Sequence, residues 1–513
     1  MILPLLIGIL LFGGLLTLLL GRYKELLCRW IALLAVSVDF ILITAFWINH
    51  SLLESGGWML HFDMSWIPAL GISFKLSLDG LSLLLLVLTF FLGILSVLCS
   101  WKEIRFKTGF YYFNLLWILA GITGVFLATD LFLFYFFWEL MIIPMYFMIN
   151  IWGSENKIYA SYKFFLFTQL GGLLMLLSIL GLYFIQEAKS GEYTFDYFKL
   201  IGAELAPSAA LLLLLGFMIA FVVKLPIVPF HTWLPDAHGE APTAGSLILA
   251  GLLLKTGAYG IIRFALPLFP QASATIAPYA MFAGVVGIIY GAVLSYSQTD
   301  VKRLIAYTSV SHMGFVIFGI FAFTHLALQG VVLQMITHGI STGALFLLAG
   351  MLKERLHTRD IENLGGIWAY VPKMGGVALL FAMASLGLPG LGNFVAEFLI
   401  LLGAYEKYPV LTICASVGLI FSAAYSLRIV QKIFFQPEKE HSDLKDFSFR
   451  EWVIMGSLSV SIIWIGVYPQ TVIDIANPSM IHLKDGLERE ASSARDKSIH
   501  ISPLAKKKES LKK

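Results

Sequence analysis

Fourteen apolar runs of about 20 residues, separated by shorter polar stretches, set the pattern of the chain. They lie near 2–20, 29–48, 81–100, 109–129, 131–150, 162–185, 209–230, 243–264, 276–296, 303–323, 327–352, 372–400, 409–430 and 451–468. Each is long enough to cross about 30 Å of hydrocarbon as a helix. The pattern therefore predicts fourteen membrane spans, numbered 1 to 14 in chain order, in an all-α polytopic bundle. No basic stretch precedes the first run and no small-residue cleavage site follows it, so it reads as a retained span rather than a signal peptide. One transmembrane domain is expected over 1–470, followed by a polar tail over 471–513.

Two spans carry interruptions. Span 7 runs into Lys224-Leu225-Pro226 and then Pro229; span 12 contains Gly387-Leu388-Pro389-Gly390. Proline removes a backbone donor and clashes with the preceding turn, so both helices are expected to break. If spans 4–8 and 9–13 are two five-helix units, about 109–264 and 276–430, the breaks fall in the fourth helix of each. That is the pattern an inverted repeat leaves in transporters, because an odd number of helices turns the second unit upside down.

Composition strengthens the membrane reading. Hydrophobic residues make up 58% of the chain and charged residues 13%, far from the balance of a soluble domain. The near-neutral net charge leaves no footprint for nucleic acid. Cys28, Cys99 and Cys414 are scattered without metal-ligand spacing and read as small packing residues. Loops after odd-numbered spans hold 19 Lys and Arg against 5 after even-numbered ones. By the positive-inside tendency both termini face outward, which in bacterial terms is the periplasm. The basic run Lys506, Lys507, Lys508, Lys512 and Lys513 opposes that placement of the carboxyl end.

The informative charges are those within the spans. Lys224 precedes the span 7 break, Lys255 lies mid-way along span 8, Glu397 follows the span 12 break and Glu139 lies in span 5. Ionisable groups are costly in hydrocarbon and mark ion pathways. Glu139 is expected beside Lys224, where small movements of the carboxylate or of water would switch the lysine between holding and releasing a proton. His312 and His338 add groups that accept and donate protons near neutral pH. Tyr307, Ser309, Ser311 and Thr337 could support a water wire, or could simply pack helices. Asp39 reads as a structural polar contact, and Asp79 and Asp130 as helix caps. A static set of ion pairs holding helices together is the competing reading.

The stretch Lys224-Leu225-Pro226 through His231-Thr232-Trp233-Leu234-Pro235-Asp236-Ala237-His238-Gly239-Glu240-Ala241-Pro242-Thr243, followed by Lys255-Thr256-Gly257, closely resembles the antiporter-like subunits of proton-pumping NADH:quinone oxidoreductase, complex I. Trp138-Glu139, the run from Asp300-Val301-Lys302-Arg303 to Ser309, and Gly387-Leu388-Pro389-Gly390 match as well. The likeness covers about 75–435. Within the family, Glu397 resembles the M branch, equivalent to mitochondrial subunit 4. Subunits L and N usually have lysine there.

The resemblance implies a proton-translocating subunit of a respiratory complex in a bacterial inner membrane. Glu139 and Lys224 would be its regulating pair, Lys255 its central relay and Glu397 its terminal group towards the outside. His312 and His338 would link Lys255 to Glu397, with His231 and His238 in support. The chain would hold no metal or cofactor; NADH, FMN, iron-sulfur clusters and quinone would belong to partner subunits. Expected partners are the other membrane and peripheral subunits, L and N especially, together with lipids and protons. A subunit of a multisubunit cation/proton antiporter or of a membrane-bound hydrogenase is the alternative.

Overall fold

A computed structural model describes residues 1–49, 57–437 and 444–489. Thirteen helices among these are long and apolar enough to cross a membrane, and span 12 supplies the fourteenth crossing as two halves, Pro372–Ser385 and Gly392–Tyr405. Span 7 is likewise split into Pro207–Lys224 and Trp233–Glu240. Both breaks stand where proline and glycine interrupt the apolar pattern. Gly387 and Gly390, either side of Leu388-Pro389, adopt φ of +82° and +92°, a region that residues with a Cβ rarely enter.

Side-chain burial sorts the spans into an interior and a rim. Spans 8 (Thr243–Leu268) and 11 (His325–Leu356) are enclosed on every side, and span 10 (Val301–Phe321) nearly so. Spans 1, 2, 6, 13 and 14 show most of their apolar surface outward, where lipid or other membrane subunits can cover it. Span 8 is not a uniform α-helix: residues Leu249–Leu253 and Ile261–Ala265 take the wider π form, which recurs at functional sites.

Two features differ from the hydropathy pattern. Residues Trp58–Ile67 (β1) and Ile72–Asp79 (β2) form an antiparallel hairpin. Its sequence alternates apolar Leu60, Phe62, Met64 and Trp66 with polar His61, Asp63 and Ser65, the two-residue period of a strand. The expected polar tail from 471 begins instead as a helix over 470–489, which buries Val472, Ala476 and Met480. Residues 490–513, including the basic run, lie outside the described residues.

The hairpin, the loops after even-numbered spans and the 470–489 helix gather at one end of the bundle. β2 bridges Ala128, Lys75 bonds Asp196, and Gly80 packs so closely on the Ile475 carbonyl that no Cβ would fit. Loops after odd-numbered spans meet at the other end, as in the Arg359–Glu240 pair. One detail recurs between spans 4–8 and spans 9–13. Asp130, before span 5, bridges Asp196 in the loop between spans 6 and 7; Asp300, before span 10, bridges Asp360 in the loop between spans 11 and 12. Each of these four aspartates also caps the helix that follows it.

Candidate functional site

The centre of the bundle is assembled by close backbone approach. A Cβ on Gly339 of span 11 would stand 2.9 Å from the Gly251 carbonyl oxygen of span 8, so glycine at the crossing permits the contact. One turn beyond Gly251 is Lys255, and beside Gly339 is His338; both are fully buried. Lys255 Nζ and His338 Nδ1 share a hydrogen bond of 2.7 Å. The ammonium also donates to the Ala250 carbonyl at 2.5 Å, within the first π stretch.

From His338 the contacts continue. Its ring lies edge to face with that of His312, centroids 5.6 Å apart. His312 Nδ1 is 2.8 Å from Glu397 Oε1, and Gln334 Nε2 donates to the same oxygen at 3.0 Å. The far edge of the imidazole, Nε2, meets Tyr425 OH at 3.2 Å and Ser385 Oγ at 3.3 Å. Lys255, His338, His312 and Glu397 thus form a file of side chains, each at most 2% exposed. Glu397 Oε2 has no hydrogen-bond partner among the described residues and faces Gly387 in the span 12 break.

Lys224 closes the first half of span 7. Its Nζ has no hydrogen-bond partner among the described residues and lies 5.4 Å from the ring centre of Trp138 and 5.5 Å from that of Phe164, a cation–π setting. Pro226 and Pro229 follow in the break. Glu139 sits near enough to act on Lys224 through its charge, yet no ion pair within 4.0 Å joins the two. Glu139 Oε1 instead faces Gly172 of span 6, with Tyr135 and Gln169 against the carboxylate. No polar contact among the described residues connects Lys224 to Lys255.

The hydroxyls expected to line a water wire are engaged elsewhere. Ser311 donates to the Ile288 carbonyl at 2.8 Å, Thr337 to Leu333 at 2.9 Å and Ser309 to Ile305 at 3.4 Å, so all three bind helix backbone. Tyr307 and Tyr290 pack around His231. His238 is fully buried and stacked on Phe346 at 4.4 Å, with both ring nitrogens lacking a protein partner. Asp39 is buried in span 2 with neither oxygen bonded. Asp79 and Asp130 do cap helices, accepting from Ser82 and from Phe132 and Leu133. Burial pushes the Asp130 carboxyl up to about 6, against the pull of the amides it accepts from.

Four residues of the site were not singled out from sequence. Gln334, Ser385 and Tyr425 surround His312 and Glu397, and Lys302 is 1% exposed at the start of span 10. Neutral polar residues are common enough in membrane helices to give no signal. Lys302 stands at the edge of its apolar run, where a lysine reads as a loop charge.

A family model described as "NADH:quinone oxidoreductase/Mrp antiporter, TM" matches residues 128–422. The chain is 53% identical to a Pseudomonas aeruginosa protein named NADH-quinone oxidoreductase subunit M, over 94% of this chain and 97% of that one. It is 48% identical to the Escherichia coli protein of the same name, over 96% and 100%. Among solved structures, a chain of respiratory complex I from Thermus thermophilus aligns with a TM-score of 0.85 at 33% identity, covering 95% of this chain and 99% of that one. A chain of the Mrp complex from Dietzia, at 20% identity and a TM-score of 0.83, shares the fold.

Proposed function

The chain belongs to the NADH-quinone oxidoreductase subunit M family, and from that premise we propose that its buried side chains hand protons along the middle of the membrane. It is a multi-pass membrane subunit of a proton-translocating oxidoreductase. Lys255 is the central relay, His338 and His312 are the carriers beyond it, and Glu397 is the terminal group towards the outer side. Glu139 and Lys224 regulate the relay from the first five-span unit, with His231 and His238 in support.

The carrying observation is the file from Lys255 to Glu397, hydrogen-bonded at both ends and joined in the middle by the ring contact of His338 with His312, where His338 Nε2 has no partner among the described residues. A hydrogen bond between an amine and an imidazole lets a proton cross by a small shift along one axis. The imidazole that accepts it at one nitrogen can release another from the second. Direct contact of His312 Nδ1 with Glu397 gives the proton a carboxylate as its next acceptor. A purely structural ion pair needs one cation and one anion in contact; here two imidazoles intervene between them.

Redox chemistry belongs to other subunits in this reading, with NADH, FMN, iron-sulfur clusters and quinone bound there. Among the described residues no group of three or more His, Cys, Asp or Glu is placed to hold a metal. Subunits L and N are the proposed membrane neighbours, and the bacterial inner membrane the proposed location. The Lys and Arg excess in loops after odd-numbered spans puts those loops in the cytoplasm and the hairpin end outside.

Lys255→Met in the intact complex tests the reading. The variant is expected to assemble normally while NADH-driven proton transport into vesicles falls at least tenfold, and Glu397→Gln is expected to do the same. Transport at the wild-type rate in Lys255→Met would overturn the proposal.

A further inference from the structure

At the end of the bundle formed by the loops after odd-numbered spans, several cations are held by carboxylates. Lys163 and Arg303 pair with Asp236, Arg359 with Asp300 and Glu240, and Arg355 with Glu451. Lys302 differs. Its Nζ meets only neutral oxygens, the Ala241 carbonyl at 2.8 Å and Ser246 Oγ at 3.3 Å. Among the described residues no carboxylate lies within 4.0 Å of it. An ammonium locked to a carboxylate loses the pair when it gives up its proton, whereas one held by neutral oxygens loses nothing but hydrogen bonds.

Lys302 also stands between an opening and the relay. The Glu103 carboxylate acts on it most strongly by charge without touching it; from one side Lys353, Arg359 and Asp300 act on it as well. Together with Ser154 and Thr299 they line a cavity of about 730 Å³ that opens at this end. On the other side, the Ser246 hydroxyl donates to the His238 carbonyl at 3.1 Å, so Lys302, Ser246 and His238 are tied together. The His238 ring feels the charges of both Lys302 and Lys255, and its two nitrogens lack protein partners. A buried polar edge left open in this way is where water or a transferred proton is accommodated.

We propose that Lys302 is the entry residue of the relay, taking up protons from the cavity beside Asp300 and Lys353 and passing them by way of His238 to Lys255. Each step breaks one N–H bond and forms another. Lys302 becomes a neutral amine as His238 gains the proton, and is recharged from the cavity, so no other reactant is consumed. This inference rests on the relay assigned to Lys255 above.

Three substitutions in the intact complex, reconstituted in vesicles and driven by NADH, test it. Lys302→Arg keeps the charge and the donors to Ala241 and Ser246, but a guanidinium does not release its proton near neutral pH. It is expected to assemble and to transport protons at a fifth of the wild-type rate or less. His238→Gln, which retains an amide donor and cannot titrate, is expected to show a similar loss. Recovery of half the wild-type rate or more in Lys302→Arg, or an unchanged rate in His238→Gln, would overturn the proposal and make Lys302 a tether for the turn between spans 7 and 8. Lys255→Met is the third. Loss there beside an active Lys302→Arg rejects the entry role alone, and no loss there rejects the relay itself.

Discussion

Glu397 accepts two hydrogen bonds on one oxygen, from His312 and Gln334, and none from protein on the other. The loaded oxygen fixes the carboxylate while the free one faces the gap opened by Gly387, so the group is oriented without being saturated. Gln334 is the positioning residue in that arrangement. Gln334→Leu removes one bond of about 1.5–3 kcal/mol to a carboxylate, and is expected to slow NADH-driven proton transport by roughly 10–150-fold without affecting assembly. Gln334→Glu would place a second carboxylate against Glu397 and is expected to be worse. At this scale the sequence was informative where a charge interrupts an apolar run: Lys224, Lys255, Glu397 and the two histidines stand out because burying them is expensive. It was silent on Gln334, Ser385 and Tyr425, whose cost in a membrane is small. It also named Glu139 as the counter-charge of Lys224, and the carboxylate does act on the ammonium through its charge, but it did not foresee the Trp138 and Phe164 rings against it. An aromatic face beside a cation leaves no trace in charge patterning. Trp138→Leu is expected to weaken coupling more than Phe164→Leu, because indole is the stronger cation–π partner; proton transport per NADH oxidised measures it.

Helices were legible from hydropathy because backbone hydrogen bonding inside lipid permits little else. The breaks in spans 7 and 12 were legible from proline and glycine. What hydropathy could not resolve was which helices touch. The crossing of spans 8 and 11 depends on Gly251 and Gly339, two of 45 glycines in the chain, and nothing in their neighbourhood marks them out. The π stretches of span 8 are likewise set by the packing around them rather than by composition. A two-residue alternation did mark the hairpin, though short strands between apolar helices are easily read as loop. Gly339→Leu puts a side chain where the Gly251 carbonyl stands and must separate the two helices, pulling His338 from Lys255. Proton transport is expected to fall at least tenfold, with partial loss of assembly. Gly350→Leu, at the far end of the same span against Thr243, disturbs packing equally without touching the relay. If it proved as inactive as Gly339→Leu in assembled complex, the Gly251–Gly339 crossing would carry no special role.

Across the whole molecule, the proposed relay is fastened to the hairpin end of the bundle through a buried ion pair. Arg263, eight residues beyond Lys255 on span 8, pairs with Asp79 at the junction of β2 and span 3. Its guanidinium lies 4.6 Å from the Trp58 ring centre and 5.4 Å from that of Tyr259, and Ser479 of the 470–489 helix stands beside Asp79. Hairpin, span 3, span 8 and the final helix therefore meet at a single charge pair. Burial alone would raise the Asp79 carboxyl, but the Arg263 guanidinium, the Ser82 amide and the Ser479 hydroxyl together outweigh it and hold the group below its usual range. A carboxyl depressed on folding contributes stability that is complete above its unfolded value, near 3.9, and is lost only as pH falls through the folded one. The fastening is accordingly constant across the pH range in which a proton pump works. Asp79→Ala leaves a guanidinium buried without its partner, a loss of about 3–5 kcal/mol, and is expected to reduce assembly sharply and lower the Tm of the extracted complex. Asp79→Ala with Arg263→Met removes both charges and is expected to regain most of that Tm, since an uncharged pair of similar bulk costs little there. If the double variant also recovers proton transport, the pair serves as a fastening alone. If Tm returns while transport does not, the charge pair itself transmits events at the hairpin end to Lys255, and the seam between β2 and span 8 becomes part of the coupling machinery.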